Sequence, residues 1–197
     1  MVRPALPPPA QPPRPVWHVL RPGEELHRIW DPGERGWQCT DFRSGQARYR
    51  FDHTCEGDTE RAILYAAPAL SCCVAERYCD VGMVEPGADR LGILRVERQI
   101  QLIDLRGIAA RRAGTVAGIG SFVDVAFTQA WSRYLYETFG RADGLIYAAA
   151  HNGEDAIALY QRAAAKLTAA QDVALNDPRI RTALLLACER NNLPFVG

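Results

Sequence analysis

The feature that most restricts the fold is a β-hairpin signal in the last third of the chain. Two apolar runs, Gly144–Ala148 and Asp155–Tyr160, flank the sequence His151-Asn152-Gly153. Asn-Gly between apolar runs is typical of a tight hairpin turn, because both residues readily adopt positive φ. The pattern therefore predicts two adjacent antiparallel strands.

Shorter strand and helix signals surround this hairpin. Strands are predicted over Val16–Leu20, Glu25–Trp30, Ala47–Phe51, Ala62–Ala66, Leu91–Glu97 and Gln99–Leu105. Helices are predicted over Ala69–Cys79, Phe122–Phe139, Ala163–Leu175 and Pro178–Asn191, with a long loop at Asp31–Gln46 and a short helix plus loop at Arg106–Gly120. Because strands and helices do not alternate regularly, we expect a compact α+β fold with a mixed sheet flanked by helices.

The length of 197 residues suits one domain with a sizeable core. Residues 1–15 contain seven prolines, so we expect a disordered or polyproline-like lead followed by a domain over residues 16–197. No stretch approaches the roughly 18 apolar residues of a membrane helix, and no signal peptide is visible. These patterns predict a cytoplasmic protein that does not enter a membrane.

Charge and cysteine content narrow the class of function. The 23 basic and 23 acidic residues cancel, which argues against direct binding to nucleic acid. The six cysteines are expected to be free thiols, because no secretory signal accompanies them. No Cys-x-x-Cys pair occurs, so we expect no metal site, although a redox or metal protein is a third hypothesis.

The common phosphate-binding loops are absent from the sequence. The glycine-rich run Gly114–Gly120 has no P-loop lysine, and its spacing differs from the dinucleotide-binding fingerprint. A nucleotide ligand would therefore be bound by other means.

A series of short patterns carries a family resemblance. In order along the chain these are His27-Arg28-Ile29-Trp30, Arg50-Phe51-Asp52-His53, Ile63-Leu64-Tyr65-Ala66-Ala67, Val74-Ala75-Glu76, Asp143-Gly144-Leu145-Ile146-Tyr147 and Ile157-Ala158-Leu159-Tyr160. Their order and spacing resemble the RES domain over nearly the whole chain after residue 16. The resemblance implies an ADP-ribosyltransferase-like fold and a bacterial toxin that consumes NAD by hydrolysis, phosphorolysis or ADP-ribosyl transfer to a protein. It also implies, as partner, a helix-turn-helix antitoxin of the Xre type.

The family is named for an arginine, a glutamate and a serine. The resemblance places the arginine at Arg28 or Arg50 and the glutamate at Glu76. The chain departs from the pattern at the serine, where it has Ala149. Three neighbouring hydroxyl groups are candidates to replace it, those of Ser121, Thr128 and Ser132. A weakened RES fold that binds NAD or a protein is therefore the alternative function.

The chemistry of NAD cleavage suits these residue types. Breaking the nicotinamide–ribose bond develops positive charge on the ribose, and a carboxylate such as Glu76 stabilises that charge. The alternative for Glu76 is a solvated helix residue paired with Arg77. Arginine suits a diphosphate, so Arg28 and Arg50 are predicted ligands, with a structural ion pair as the alternative for each.

Aromatic residues complete the predicted site. Tyr65 offers a ring that stacks on nicotinamide and a hydroxyl for a ribose or phosphate oxygen, and core packing is its alternative. Core roles are expected for Tyr49, Trp131 and Tyr147. We expect His53 at the surface.

Overall fold

The computed structural model describes residues 5–33, 37–43, 47–53 and 61–197. Within these ranges the strands are β1 (Trp17–Leu20), β2 (Glu25–Trp30), β3 (Ile63–Ala66), β4 (Arg90–Val96), β5 (Ile100–Asp104), β6 (Gly144–Ala148), β7 (Asp155–Tyr160) and β8 (Leu167–Ala174). The α-helices are α1 (Leu70–Tyr78), α2 (Gly107–Arg112), α3 (Val125–Thr138) and α4 (Arg181–Arg190). The predicted α+β class is confirmed, with two sheets in place of one.

The predicted hairpin lies inside the larger sheet. Strands β6 and β7 pair antiparallel from Gly144 opposite Leu159 to Ala148 opposite Asp155, which confirms both predicted strands. The five strands run in the order β1-β5-β6-β7-β3, and β5 pairs with β6 in parallel. Gly144 is required there, because a Cβ would lie 2.4 Å from the carbonyl oxygen of Ala158.

A smaller antiparallel sheet, β2-β4-β8, packs on the larger one. The core between the sheets contains Leu26 and Leu94 from the smaller sheet and Ile146 and Leu159 from the larger one. Helix α3 contributes to the core on the outer face of the larger sheet, and α1 and α4 to the core beside the smaller one. Because the core residues lie on both faces of the central strands, their sequences read as continuous apolar runs.

The helix predicted over Ala163–Leu175 is wrong. A 3₁₀ helix over Gln161–Lys166 is followed directly by strand β8, which pairs with β4 from Leu167 opposite Val96 to Ala174 opposite Arg90. The alanines and glutamine of this segment favour a helix in isolation. Pairing along the whole length of β4 overrides that local preference.

The strand predicted over Ala47–Phe51 is also wrong, because residues 47–53 form a turn. The Asp52 carboxylate accepts hydrogen bonds from the backbone N–H groups of Arg48 (3.1 Å) and Tyr49 (2.9 Å). Aspartate commonly stabilises a turn in this way, by binding nearby backbone N–H groups.

The other predicted helices are confirmed with shorter limits. The Asp124 side chain caps α3 by accepting a hydrogen bond from the backbone N–H of Phe127 at 3.1 Å, so α3 begins after residue 124. The predicted C-terminal helix is split into a 3₁₀ helix over Pro178–Ile180 and α4.

Residues 5–15 of the proline-rich lead lie against the domain. The carbonyl oxygen of Ala5 accepts a hydrogen bond from Trp131 Nε1 at 3.2 Å, and the N–H of Arg14 donates to the carbonyl of Arg112 at 2.8 Å. Pro9 lies so close to Gly114 that a Cβ there would be 2.8 Å from the proline side chain. The disorder of the lead and the start of the domain at residue 16 stay predictions.

The described cysteines are free thiols, as predicted: Cys39, Cys72, Cys73, Cys79 and Cys188. Cys55 lies outside the described residues. Burial raises the pKa of the Cys73 thiol to about 12, which disfavours the reactive thiolate. Across the described ranges, His, Cys, Asp and Glu form no group of three or more suited to a metal ion. None of the helices in the described part of the chain has the length and apolar character needed to cross a membrane.

Candidate active site

Glu76 lies on the exposed side of α1 and binds the turn of the central hairpin. Its Oε1 accepts hydrogen bonds from the backbone N–H groups of Ala150 (3.0 Å) and His151 (3.4 Å). Arg77, the partner that the sequence offered for Glu76, instead forms a salt bridge with Asp89 at 2.7 Å. Among the described residues no donor is paired with Glu76 Oε2. One carboxylate oxygen is thus held in place while the other is open to a ligand.

Tyr147, near the end of β6, lies beside Glu76 in the same site. Its side chain is buried, and its ring makes an edge contact with Phe51 at 4.7 Å between centroids. Burial raises the pKa of the Tyr147 hydroxyl well above its ordinary value, the charge of Glu76 raises it further, and the charge of Arg50 opposes this rise. Arg50 and Glu76 therefore both act on one hydroxyl, at the end of the hairpin strand. Tyr147 belongs to the core, as predicted, and also to the site.

Arg50 is carried by the turn over residues 47–53. Its Nη1 donates a hydrogen bond to the carbonyl oxygen of Phe122 at 2.9 Å. The structural ion pair that was the alternative for Arg50 does not form with Asp52 or Glu76, and within the described chain no other carboxylate lies at salt-bridge distance. The other guanidinium donors of Arg50 are therefore open to an anion.

Tyr65 holds the turn that carries Arg50. Its hydroxyl donates to Asp52 Oδ1 and accepts from the backbone N–H of Phe51, both at 3.0 Å. Burial raises the pKa of the Tyr65 hydroxyl well above its ordinary value, and the charge of Asp52 adds to the effect. The hydroxyl proton is committed to Asp52, so the predicted contact of Tyr65 with a ligand is left to its ring.

Helix α3 anchors the same turn from the other side. Gln129 Nε2 donates to the carbonyl oxygen of Tyr49 at 2.9 Å, and Ser132 Oγ donates to that of Phe51 at 3.0 Å. Both side chains are buried. The turn is therefore held at several backbone positions, which restricts where Arg50 can point.

Arg28 is buried against the segment over residues 37–43. It is 8% exposed, and its Nη1 donates to the carbonyl oxygens of Cys39 and Asp41, both at 2.8 Å. Burial lowers the pKa of Arg28 to about 10. In the described structure no hydrogen bond or salt bridge joins it to Glu76 or Arg50. The structure thus joins Tyr65 to the turn that carries Arg50, joins Glu76 to the hairpin turn, and places Arg28 against the segment over residues 37–43.

The expected serine position is filled by Ala149, which is 3% exposed and brings no hydroxyl. The replacement candidates Thr128 and Ser132 are completely buried, and both donate to backbone carbonyls. Ser121 is exposed, and it follows Gly120, whose Cα packs on the carbonyl at the end of β6. Ser121 is therefore the candidate best placed to offer a hydroxyl.

Sequence reasoning missed two residues at the site, Asp52 as the anchor of the turn and Arg43. Asp52 follows a polar stretch, and an aspartate in that position is typical of a turn. Arg43 stacks on the ring of Tyr49 with 4.3 Å between its Cζ and the centroid, a contact between two loops that no local pattern reveals.

Two predictions for nearby residues are wrong. Tyr49 was expected in the core and is 43% exposed, and His53 was expected at the surface and is buried.

Fold and site together define an α+β domain of two packed sheets, with a glutamate bound to the turn of the central hairpin and an arginine on the 47–53 turn, which packs on that hairpin through Phe51 and Tyr147. The chain belongs to the RES domain family, which it matches over residues 25–181.

Its fold is similar to a chain in the crystal structure of the M. tuberculosis MbcT-MbcA toxin-antitoxin complex. The two chains are 18% identical, with a TM-score of 0.59 and coverage of 88% of this chain and 92% of the other. No curated protein matches the sequence significantly.

Proposed function

We propose that this protein cleaves the nicotinamide–ribose bond of NAD in the bacterial cytoplasm and acts as the toxin of a toxin–antitoxin pair. The observation that carries the proposal is the carboxylate of Glu76, which the hairpin turn holds through one oxygen, together with Arg50 on the turn whose Phe51 ring contacts Tyr147. A carboxylate with a free oxygen and a cation with free donors suit a ligand that has both a sugar and a phosphate.

Glu76 is the proposed catalytic carboxylate. As the bond from ribose C1′ to the nicotinamide nitrogen breaks, its electron pair goes to the pyridine ring, which leaves as neutral nicotinamide. Positive charge develops on the ribose, and Glu76 Oε2 stabilises it directly or through a ribose hydroxyl. Water, phosphate or a protein nucleophile then bonds to C1′ and loses a proton. Hydrogen bonds from Ala150 and His151 fix the carboxylate beforehand.

Arg50 is proposed to bind the phosphate next to the reacting ribose. Its guanidinium offers paired donors that suit phosphate oxygens. The turn that carries it is fixed by Tyr65 and α3, so binding requires little reorganisation.

The test measures free nicotinamide after incubation with NAD, in buffer with and without phosphate and with candidate acceptor proteins. Glu76→Gln keeps an oxygen that accepts hydrogen bonds but removes the charge, so we expect turnover to fall about 100-fold or more at an unchanged melting temperature. Glu137→Gln is the matched control, because Glu137 is an exposed helix glutamate paired with Arg133. No nicotinamide release under any condition, or normal turnover by Glu76→Gln, would contradict the proposal.

A helix-turn-helix antitoxin that covers this site is the proposed partner. The similar fold comes from a complex described as a toxin with its antitoxin, which supports the idea. A small gene encoding such a protein is expected beside this one, and its purified product is expected to suppress nicotinamide release. If the neighbouring product neither binds this chain nor suppresses release, the partner assignment fails.

NAD binding without cleavage is the second candidate function, and Ala149 is the observation that favours it. Calorimetry that detects NAD binding without nicotinamide release would support this candidate over the first. Ala149→Ser would then be expected to produce turnover. In the first candidate, turnover is present in the unmodified protein.

A further inference from the structure

Arg43 occupies a fixed position beside the turn that carries Arg50. Its backbone is paired with Ile63 through hydrogen bonds of 2.8 and 2.9 Å. Its guanidinium stacks on Tyr49, whose ring makes an edge contact with Tyr65 at 5.9 Å between centroids. Arg43 is therefore linked, through the rings of Tyr49 and Tyr65, to the turn that carries Arg50.

The charge of Arg43 is not neutralised within the described part of the chain. No carboxylate there lies within salt-bridge distance of its guanidinium, and Asp41, the acidic residue of its own segment, accepts a hydrogen bond from the N–H of Gln38. The charge of Arg43 also acts on Arg28, because it lowers the pKa of Arg28 after the larger effect of burial. Two neighbouring cations, one of them buried, favour a bound anion.

Arg28 holds the segment that leads to Arg43. Both hydrogen bonds of its Nη1 go to backbone carbonyls of the segment that leads to Arg43. The segment also packs closely on β4: Gly92 lies so near the Cys39 side chain that a Cβ on Gly92 would be 2.4 Å from it. Arg28 therefore fixes the segment, and Arg43, at its end, is the residue free to bind a ligand.

We infer that Arg43 binds the diphosphate of the substrate, and that Arg28 is a positioning residue that holds the segment carrying Arg43. This inference rests on the proposed function. In NAD the diphosphate lies one ribose away from the bond to be broken. Arg43 is likewise separated from the Glu76–Tyr147 site by the rings of Tyr49 and Tyr65.

The test compares NAD with nicotinamide riboside, which has the same reactive bond and no phosphate. Arg43→Ala is expected to raise KM for NAD at least about tenfold, equivalent to about 1.4 kcal/mol, with kcat nearly unchanged. Its kcat/KM for nicotinamide riboside is expected to equal that of the unmodified protein. Arg43→Lys keeps the positive charge but lacks the paired donors of a guanidinium, so its KM for NAD is expected to lie between those of the unmodified protein and Arg43→Ala. Calorimetry with NAD on the Glu76→Gln background measures the same change in affinity without turnover.

Arg141→Ala is the matched control, because Arg141 also stacks on an aromatic ring, Trp17, at 4.1 Å. It is expected to leave both substrates unaffected. Arg28→Ala is expected to lower the melting temperature and to raise KM for NAD more than KM for nicotinamide riboside, because Arg28 acts through Arg43 and the riboside has no diphosphate for Arg43 to bind.

The outcomes separate this inference from the proposed function. If the unmodified protein neither binds nor cleaves NAD, both fail. If it cleaves NAD while Arg43→Ala matches Arg141→Ala, only the role of Arg43 is overturned. An equal loss with NAD and nicotinamide riboside would make Arg43 structural and would also overturn it.

Discussion

Replacing Tyr65 with phenylalanine removes one oxygen atom on which the Arg50 turn depends. That hydroxyl bridges two neighbouring residues of the turn, donating to the Asp52 carboxylate and accepting from the N–H of Phe51. The phenylalanine ring fits the same space, so the substitution creates no cavity. It leaves a buried carboxylate oxygen and a backbone N–H without their partner.

The expected loss follows from those two hydrogen bonds. A hydrogen bond to a charged group contributes about 1.5–3 kcal/mol, and one between neutral groups about 1 kcal/mol. Tyr65→Phe should therefore lower the free energy of unfolding by about 2–4 kcal/mol. For a domain of this size, each kcal/mol shifts the melting temperature by about 2–4 °C. We also expect slower nicotinamide release, because Arg50 is no longer held firmly.

Thermal unfolding followed by circular dichroism measures the effect. Tyr134→Phe removes the same atom from a partly buried tyrosine on α3 whose hydroxyl has no hydrogen-bond partner among the described residues, so it should change stability by less than about 0.5 kcal/mol. Equal melting temperatures for the two variants would refute the role given to Tyr65. A destabilised Tyr65→Phe with normal turnover would refute the link from the turn to Arg50.

Three further predictions follow from other parts of the structure. Burial alone would raise the pKa of Asp104, but hydrogen bonds from Arg106 outweigh it and hold that pKa below its ordinary value of 3.8. The ionised carboxylate therefore stabilises the fold above the pKa that Asp104 has in the unfolded chain, and this stabilisation is lost as the pH falls through the lower pKa of the folded protein. In acid titrations, Asp104→Asn should therefore lose less stability below about pH 5 than the unmodified protein does. Gly120→Ala would place a Cβ 2.2 Å from the carbonyl oxygen of Ala148, so unfolding measurements should show a loss of about 1–3 kcal/mol together with reduced turnover. Deleting residues 1–11 should lower the melting temperature by about 2–4 °C, and no change would mean that the lead contributes nothing to stability.

The fold was predictable where local pattern and tertiary pairing agree. The hairpin strands β6 and β7 have their predicted limits, because an Asn-Gly turn and two apolar runs both specify them. Strand β8 was missed because its alanines and glutamine favour a helix, and only its partner β4 makes it a strand. The Arg50 turn was missed because the side chain of Asp52, and not a pattern of apolar residues, determines it.

The candidate site was predictable for residue type and less so for role. Tyr65 uses its hydroxyl to hold the turn that carries Arg50, and Arg28 uses its guanidinium to hold a segment. Arg43 faces Tyr49 across a contact between two loops. Which of several arginines faces a ligand depends on such tertiary contacts, and sequence spacing does not encode them.

The bond from Glu76 to the hairpin turn also determines when the site comes into existence. The partners are 74 residues apart in the chain, and β3, next to the helix that bears Glu76, pairs with β7. Contacts this distant form late in folding, and during synthesis the ribosome releases the N-terminal part first. Glu76 therefore lacks its hydrogen-bond partners in the turn until the hairpin has been synthesised. As a result, the Glu76 carboxylate is fixed only in the last stage of synthesis and folding, after most of the chain has been made.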